Sequence, residues 1–441
     1  MKKKKGKGLI VVTAVLAVAF ITYFVLNIVF SPYWDSVYTP TGYMSFASMR
    51  NPVSDSEVFT NKQACEDINY IIKRLGRVHP DCIDGVPENV AARAEAEKAA
   101  FGDEVTSYEI WRAAARILHE LGDAHSTAAP SFPMNYLTAY SDKLDYDCEL
   151  VSINGASLDD IFKAKEGLVS YELEPWGRSV VEGLVGTKEG LKFLGIYEDK
   201  LEYTYSFPDG STVTEIYTSN DFYNSLAAND PEDTADVPYS REIIGKNNMA
   251  LLTLESCVYD MDFREFLYEF FLDVKDSGVE NLVIDLRDNA GGTSQVFDEL
   301  MIYLGREKFI APGGKWRLGP YMMKWESEET RVTHLDDVTV FDGNVYVLTS
   351  SDTFSSATLV AELFADNDFA TLIGEPCGNM PEGCGEVVVF QTPNAALTFQ
   401  LSTKYFERID REKADQPLTP DIECSAKDAL QTAMDIISEN K

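Results

Sequence analysis

Asn281-Leu-Val-Ile-Asp-Leu-Arg-Asp-Asn-Ala-Gly-Gly292 decides the reading of this chain. Leu282 to Ile284 is a short apolar run, the composition of a strand buried on both faces. It ends in Asp285, Arg287 and Asn289 and then breaks at Ala290-Gly291-Gly292. Paired glycines at a strand end let bare backbone approach another group and leave N–H groups able to hold an anion. Further on, a second apolar run, Val345-Tyr-Val-Leu348, leads into Thr349-Ser-Ser-Asp-Thr-Phe-Ser-Ser-Ala357. A helical pattern opens immediately afterwards at Thr358-Leu-Val-Ala-Glu-Leu-Phe364. A strand, a serine-rich turn and a helix N-terminus in that order can present a hydroxyl on a sharp turn.

The surrounding sequence fits an α/β core. From Tyr239 onward, a strand (Met249 to Leu254), a helix (Phe263 to Val274), the Leu282 strand and a second helix (Gln295 to Leu304) alternate, which predicts βαβ units. Upstream, Ile68, Ile71, Ile72 and Leu75, then Ile110, Ala114, Ile117 and Leu118, fall at helical spacing. Leu201 to Tyr217 reads as a hairpin around Pro208-Asp-Gly210, Val169 to Ile196 as helical, and Ser219 to Val237 as an exposed polar loop. The expected organisation is a basic tip and membrane anchor (1–30), a linker (31–56), a small helical module (57–125), a β-rich region (126–238), the α/β core (239–425) and a C-terminal helix or tail (426–441).

Composition narrows the partners. A formal charge of -34 over 441 residues opposes binding to nucleic acid, whose phosphates would repel it. Lys2 to Lys7 is basic, and Leu9 to Phe30 is an uncharged apolar run of the about 20 residues that a bilayer span needs. Lysines on the short side place that end in the cytoplasm and everything after Phe30 outside. No small-x-small cleavage site follows, so an uncleaved, single-pass signal anchor is expected rather than a removed signal peptide. Seven cysteines and four histidines show no zinc spacing, so neither a metal site nor a cofactor is predicted. Pairing of Cys377 with Cys384 stays open, as does the oligomeric state.

The Asp285–Gly292 strand and the Ser355-Ser-Ala357 turn together resemble the serine protease family of the C-terminal-processing and tricorn type. Val78-His-Pro80, Leu121-Gly-Asp-Ala-His125, Ile153-Asn-Gly155, Ile373-Gly-Glu-Pro-Cys-Gly378 and Pro420-Asp421 add to the resemblance. It spans roughly Glu66 to Ile422. The resemblance implies a protease core with crotonase-like layering, and a vestigial PDZ-like sheet around Ile153-Asn-Gly155.

It also implies roles. Ser356, before Ala357 at the turn, is the expected nucleophile, and a register shift of one would exchange it with Ser355. Backbone N–H groups of Ala357 and of Gly291 or Gly292 would bind the oxyanion. The C-terminal-processing branch uses a lysine base in the stretch that here reads Gly374-Glu-Pro-Cys-Gly-Asn-Met-Pro-Glu-Gly-Cys-Gly385, which holds no lysine. The tricorn-like branch uses an N-terminal histidine, which makes His125 the expected base, with Lys404 as the rival. Glu412 or Asp415 is expected to orient His125, with Asp123 or Ser126 as alternatives. His79 reads as structural. The expected function is a membrane-anchored extracytoplasmic serine endopeptidase acting on peptides or proteins. The alternative is a non-catalytic peptide- or lipid-binding protein on the same fold.

Overall fold

The computed structural model describes residues 12–24, 31–39, 46–144, 148–223, 237–334 and 340–439. Residues 12–24 are helical and exposed. Lys2 to Lys7, the remainder of the expected span and most of the loop expected at Ser219 to Val237 lie outside the described residues. Among the described residues no helix is long and apolar enough to cross a membrane.

The expected linker is in part folded. Tyr33 is buried and its hydroxyl donates to the Arg317 carbonyl at 2.6 Å. Strand β1 (Ser36–Tyr38) pairs antiparallel with a strand more than 300 residues later in the chain. Tyr and Ser in a Pro-containing stretch look like a linker, yet one aromatic ring that finds a pocket is enough to fix such a segment.

Helix α1 (Asn61–Val78) starts at a Thr60/Gln63 capping box and buries Ala64, Ile68, Ile71, Leu75 and Val78. Helices α2 (Glu88–Ala100) and α3 (Ser107–His119) pack beside it, the latter entered through a Thr106/Glu109 box. Strand β2 (Thr127–Ala129) follows. Strands β3 (Glu149–Ile153), β4 (Lys200–Ser206) and β5 (Thr212–Thr218) form an antiparallel sheet, and β4–β5 is the expected hairpin. Helices Glu174–Val185 and Lys188–Leu194 occupy the stretch read as helical.

The α/β core begins with β6 (Tyr239–Ile244), β7 (Met249–Leu254), α4 (Met261–Ser277), β8 (Asn281–Asp285) and α5 (Gln295–Tyr303). It continues through β9 (Gly313–Leu318), β10 (Tyr321–Trp325), β11 (Asn344–Thr349), α6 (Ser356–Asp366) and β12 (Thr371–Gly374). It closes with β13 (Gly383–Gln391), β14 (Thr398–Glu407), β15 (Ile422–Glu423) and α7 (Ala429–Glu439). One sheet has the order β6-β7-β8-β11-β12-β15, parallel throughout except for β6. Every residue of β8 is buried because helices cover both faces. Leu282 and Ile284 meet α4, α5 and α6, while Val283 faces Ala429, Ala433 and Ile437 of α7.

A second, antiparallel sheet runs β1-β13-β14-β9-β10, with β2 on β14. Val388 and Phe390 of β13, with Phe399 and Leu401 of β14, share one apolar cluster with α1 and α3. The N-terminal helices therefore bury their apolar faces against this sheet, and their core continues past residue 125.

Candidate active site

Because β8 and β11 are parallel neighbours in register (Asp285 opposite Leu348), the two loops singled out in the sequence emerge side by side. They are then tied together. Leu286 N–H donates to the Leu348 carbonyl at 3.0 Å, and Phe354 N–H to the Asn289 carbonyl at 2.9 Å. Thr353 Oγ1 donates to the Leu286 carbonyl at 2.7 Å. The polar residues ending β8 hold this shape. Arg287 pairs with Asp285 at 2.7 Å, and the fully buried Asn289 donates to the Leu254 carbonyl and accepts from Gly291 N–H, both at 2.9 Å.

Both glycines are needed. Gly291 and Gly292 have φ of +102° and +139°. A Cβ on Gly291 would stand 2.7 Å from Ser355 Cβ, and one on Gly292 2.3 Å from the Cys257 carbonyl oxygen. Gly292→Ala is therefore expected to cost about 3 kcal/mol or more from backbone strain and overpacking. An unchanged midpoint in urea denaturation would contradict this.

The two adjacent serines differ in backbone and in bonding. Ser355 has φ +58° and ψ -121°, a strained conformation for a residue with a side chain, at the step from β11 to α6. Its N–H donates to Asn379 Oδ1 at 2.7 Å. Ser356 is the first residue of α6, and its Oγ donates to the Gly292 carbonyl at 2.9 Å. Two of the expected oxyanion donors are engaged: Ala357 N–H closes the turn onto the Phe354 carbonyl at 3.1 Å, and Gly291 N–H is held by Asn289. The N–H groups of Gly292 and Ser356 donate to nothing among the described residues.

His125 follows the turn at the end of α3 and is 7% exposed. Its ring packs on Phe354 (centroids 4.7 Å apart), which stacks on Trp176 at 3.9 Å. Its Nδ1 is buried, has no hydrogen-bond partner among the described residues and lies 3.7 Å from Asp123 Oδ1. Asp123 accepts from Ser126 Oγ (2.5 Å), Ser402 Oγ (2.8 Å) and His79 Nε2 (3.1 Å). Burial pushes the Asp123 carboxyl upward, but the His125 and His79 imidazoles beside it outweigh that and hold it well below the usual carboxylate range. His125, Gly292, Ser355, Ser356, Lys404 and Tyr38 all line one open cavity of about 580 Å³.

The expected acidic partners are elsewhere. Glu412 and Asp415 are exposed, in and just after the short turn Arg411–Lys413, and neither lines this cavity. Asp410 caps that turn by accepting from Glu412 N–H at 3.1 Å, and none of the turn's residues is buried. The carboxylates beside His125 belong to Asp123 and to Glu172, which sequence reasoning missed. Glu172 arrives on the loop before helix Glu174–Val185 and carries no motif. It accepts from Met380 N–H at 2.8 Å and Ala124 N–H at 3.4 Å.

Burial, reinforced by Asp123 and opposed by His125, pushes the Glu172 carboxyl up to about 7. The folded chain thus holds this proton more tightly than the unfolded one. The resulting stability is fully present below the ordinary glutamate value of 4.5 and is lost as pH rises through about 7. Glu172→Gln is expected to remove that fall, so its stability relative to wild type should grow between pH 5 and 8. A pH-independent difference in denaturant titrations would contradict this.

The other three histidines do not line this cavity. His79 caps α1, fully buried; His119 and His334 bond the Val169 and Ile302 carbonyls, each at 2.8 Å. Lys404 pairs with Glu386 at 3.5 Å and lies over the Trp316 ring. All seven cysteines are free, Cys377 and Cys384 included.

Residues 248–424 match the model described as Peptidase family S41. Among solved structures the chain is similar to mature CPAF, with 14% identity, 85% of this chain and 96% of that one covered, and a TM-score of 0.61. Mature CPAF complexed with lactacystin gives 13%, 86%, 97% and 0.60. A photosystem II D1 C-terminal processing protease gives 11%, 85%, 97% and 0.47. At these identities the CPAF likeness concerns the fold. No curated protein matches.

Proposed function

We propose that this chain is a serine endopeptidase that forms its acyl-enzyme on Ser355, a reading supported by the match of residues 248–424 to the model described as Peptidase family S41. The nucleophile is thus one residue before the serine expected from the sequence. The observation that carries this reading is the local backbone. Ser355 alone of the pair occupies a strained strand-to-helix turn, and the N–H of the residue after it donates to nothing among the described residues, as a nucleophile turn requires. Ser356 has its hydroxyl committed to Gly292, and the N–H that follows it is taken.

In this mechanism Ser355 Oγ attacks the scissile carbonyl carbon as His125 removes its proton. With Nδ1 turned toward Asp123, Nε2 is the nitrogen that serves. The Gly292 and Ser356 N–H groups hold the oxyanion, each such donor contributing about 3–4 kcal/mol to the transition state. Protonated His125, stabilised by the Asp123 carboxylate, returns the proton to the leaving amine. Water then releases the acyl group by the same steps in reverse. The substrate lies extended along β13, whose outer edge among the described residues is paired by β1 at Val389 and Phe390. Gly383 to Val387 border the cavity beyond that pairing.

Labelling with a fluorophosphonate probe, followed by mass spectrometry of the modified peptide, tests the assignment. Modification of Ser355 supports it; modification of Ser356 moves the nucleophile to that residue, and no modification refutes catalysis.

The N-terminal segment is proposed to anchor the protein with Ser31 onward outside the cell. The support is the lysine cluster followed by the apolar run. Protease shaving of intact cells should release the large domain.

A further inference from the structure

We propose that His79, Asp81 and Cys384 form a site for a divalent transition-metal ion of the zinc class on the wall of the catalytic cavity. The three residues come from the end of α1, the turn after it and the start of β13. Their ligand atoms lie within 4.8 Å of one another. Tetrahedral zinc sites place ligand atoms roughly 3.3–3.8 Å apart, so only a small closure is required. Asp81 can supply it, because it is exposed and its carboxylate already accepts from the Cys384 thiol at 3.8 Å.

His79 is already held in the state that a metal ligand needs. Its Nε2–H donates to the Asp123 carboxylate at 3.1 Å, which fixes the tautomer and leaves Nδ1 as the lone-pair nitrogen. The bond that Nδ1 accepts from Asp81 N–H is a long one, at 3.3 Å. A buried carboxylate behind a histidine whose ring also meets the Cys384 thiol is the support that metal-binding histidines ordinarily have.

Thiolate, imidazole and carboxylate together suit zinc or cadmium better than the oxygen-seeking calcium or magnesium. Binding would form an S–metal bond as the Cys384 S–H proton leaves to solvent, with no change of oxidation state. A fourth position falls to water from the cavity or to the Cys82 thiol, which also faces His79. Asp81 and the cavity, which Cys384 lines, offer entry.

Cadmium is the probe, read by the ultraviolet charge-transfer band of a cadmium–thiolate bond in the full chain. Wild type should show a saturable band at one equivalent. Cys384→Ser should lose it, and Asp81→Asn should weaken binding by at least the about 10–100-fold that loss of a supporting partner costs. Glu172→Gln, in the neighbouring Asp123/His125/Glu172 group, should leave the band unchanged. A missing band in wild type, a band that survives Cys384→Ser, or one that vanishes with Glu172→Gln overturns the site. Should Cys384→Ser not fold, alkylation of Cys384 in wild type replaces it: zinc should slow the reaction markedly, and equal rates with and without zinc overturn the proposal. None of these readouts depends on turnover, so they stand apart from the assignment of Ser355.

Discussion

Ser355→Ala is expected to lower peptide turnover about 10⁶-fold, the scale of loss when a nucleophilic serine is deleted from a serine protease, and to abolish fluorophosphonate labelling. Ser356→Ala is expected to keep both. It should lose no more than about 1 kcal/mol of stability, because only the hydrogen bond to the Gly292 carbonyl disappears. The contrast is sharp because the side chains are identical and adjacent, and only their backbones differ. Labelling retained in Ser355→Ala and lost in Ser356→Ala would move the nucleophile forward by one residue, to Ser356. It would also require the Ala357 N–H to leave the Phe354 carbonyl before it could bind an oxyanion.

His125→Ala is expected to come within a few-fold of the same loss, since nucleophile and base act as one unit. The double variant Ser355→Ala/His125→Ala should be no worse than either single one, and additive losses would show that the two do not cooperate. His125 packs on Phe354, so folding should be monitored by near-ultraviolet circular dichroism. Lys404→Ala, which removes an ion pair with Glu386 at the cavity wall, should retain acylation. If acylation instead survives in His125→Ala and is lost in Lys404→Ala, the base is the lysine.

What the sequence revealed and what it hid follow from the range of the interactions concerned. The Leu282–Ile284 strand, the glycine pair and the serine turn were legible because each is a local pattern: an apolar run, a positive φ, a helix start. Their meeting was expected only from the family resemblance, and the parallel pairing of β8 with β11 is what brings their ends together. The choice between Ser355 and Ser356 was not, since two identical residues in a row differ only in torsion angles. Glu412 and Asp415 misled because an acidic residue near the end of a domain looks the same in sequence whether it faces a histidine or water. Glu172 is set beside His125 by the packing of a loop, and no spacing announces that. The gathering of His79, Asp81 and Cys384 across the chain is equally a product of tertiary folding, which is why spacing alone predicted no metal site.

The docking of β1 has a practical consequence for how this protein is truncated. A fragment begun at Glu57, where the sequence alone would start the folded part, would lose Tyr33 and its bond to the Arg317 carbonyl. Arg74, almost fully buried, would lose the Pro32 carbonyl and Asp35 as partners. The rim of β13 at Val389 and Phe390 would be bared, and an unpaired strand edge invites pairing with another chain. Such a fragment is expected to self-associate in light scattering beyond any state adopted by a form begun at Ser31. Tyr38 would also vanish from the mouth of the cleft. A shortened enzyme that seemed sticky and unselective would then be reporting the scissors rather than the protease.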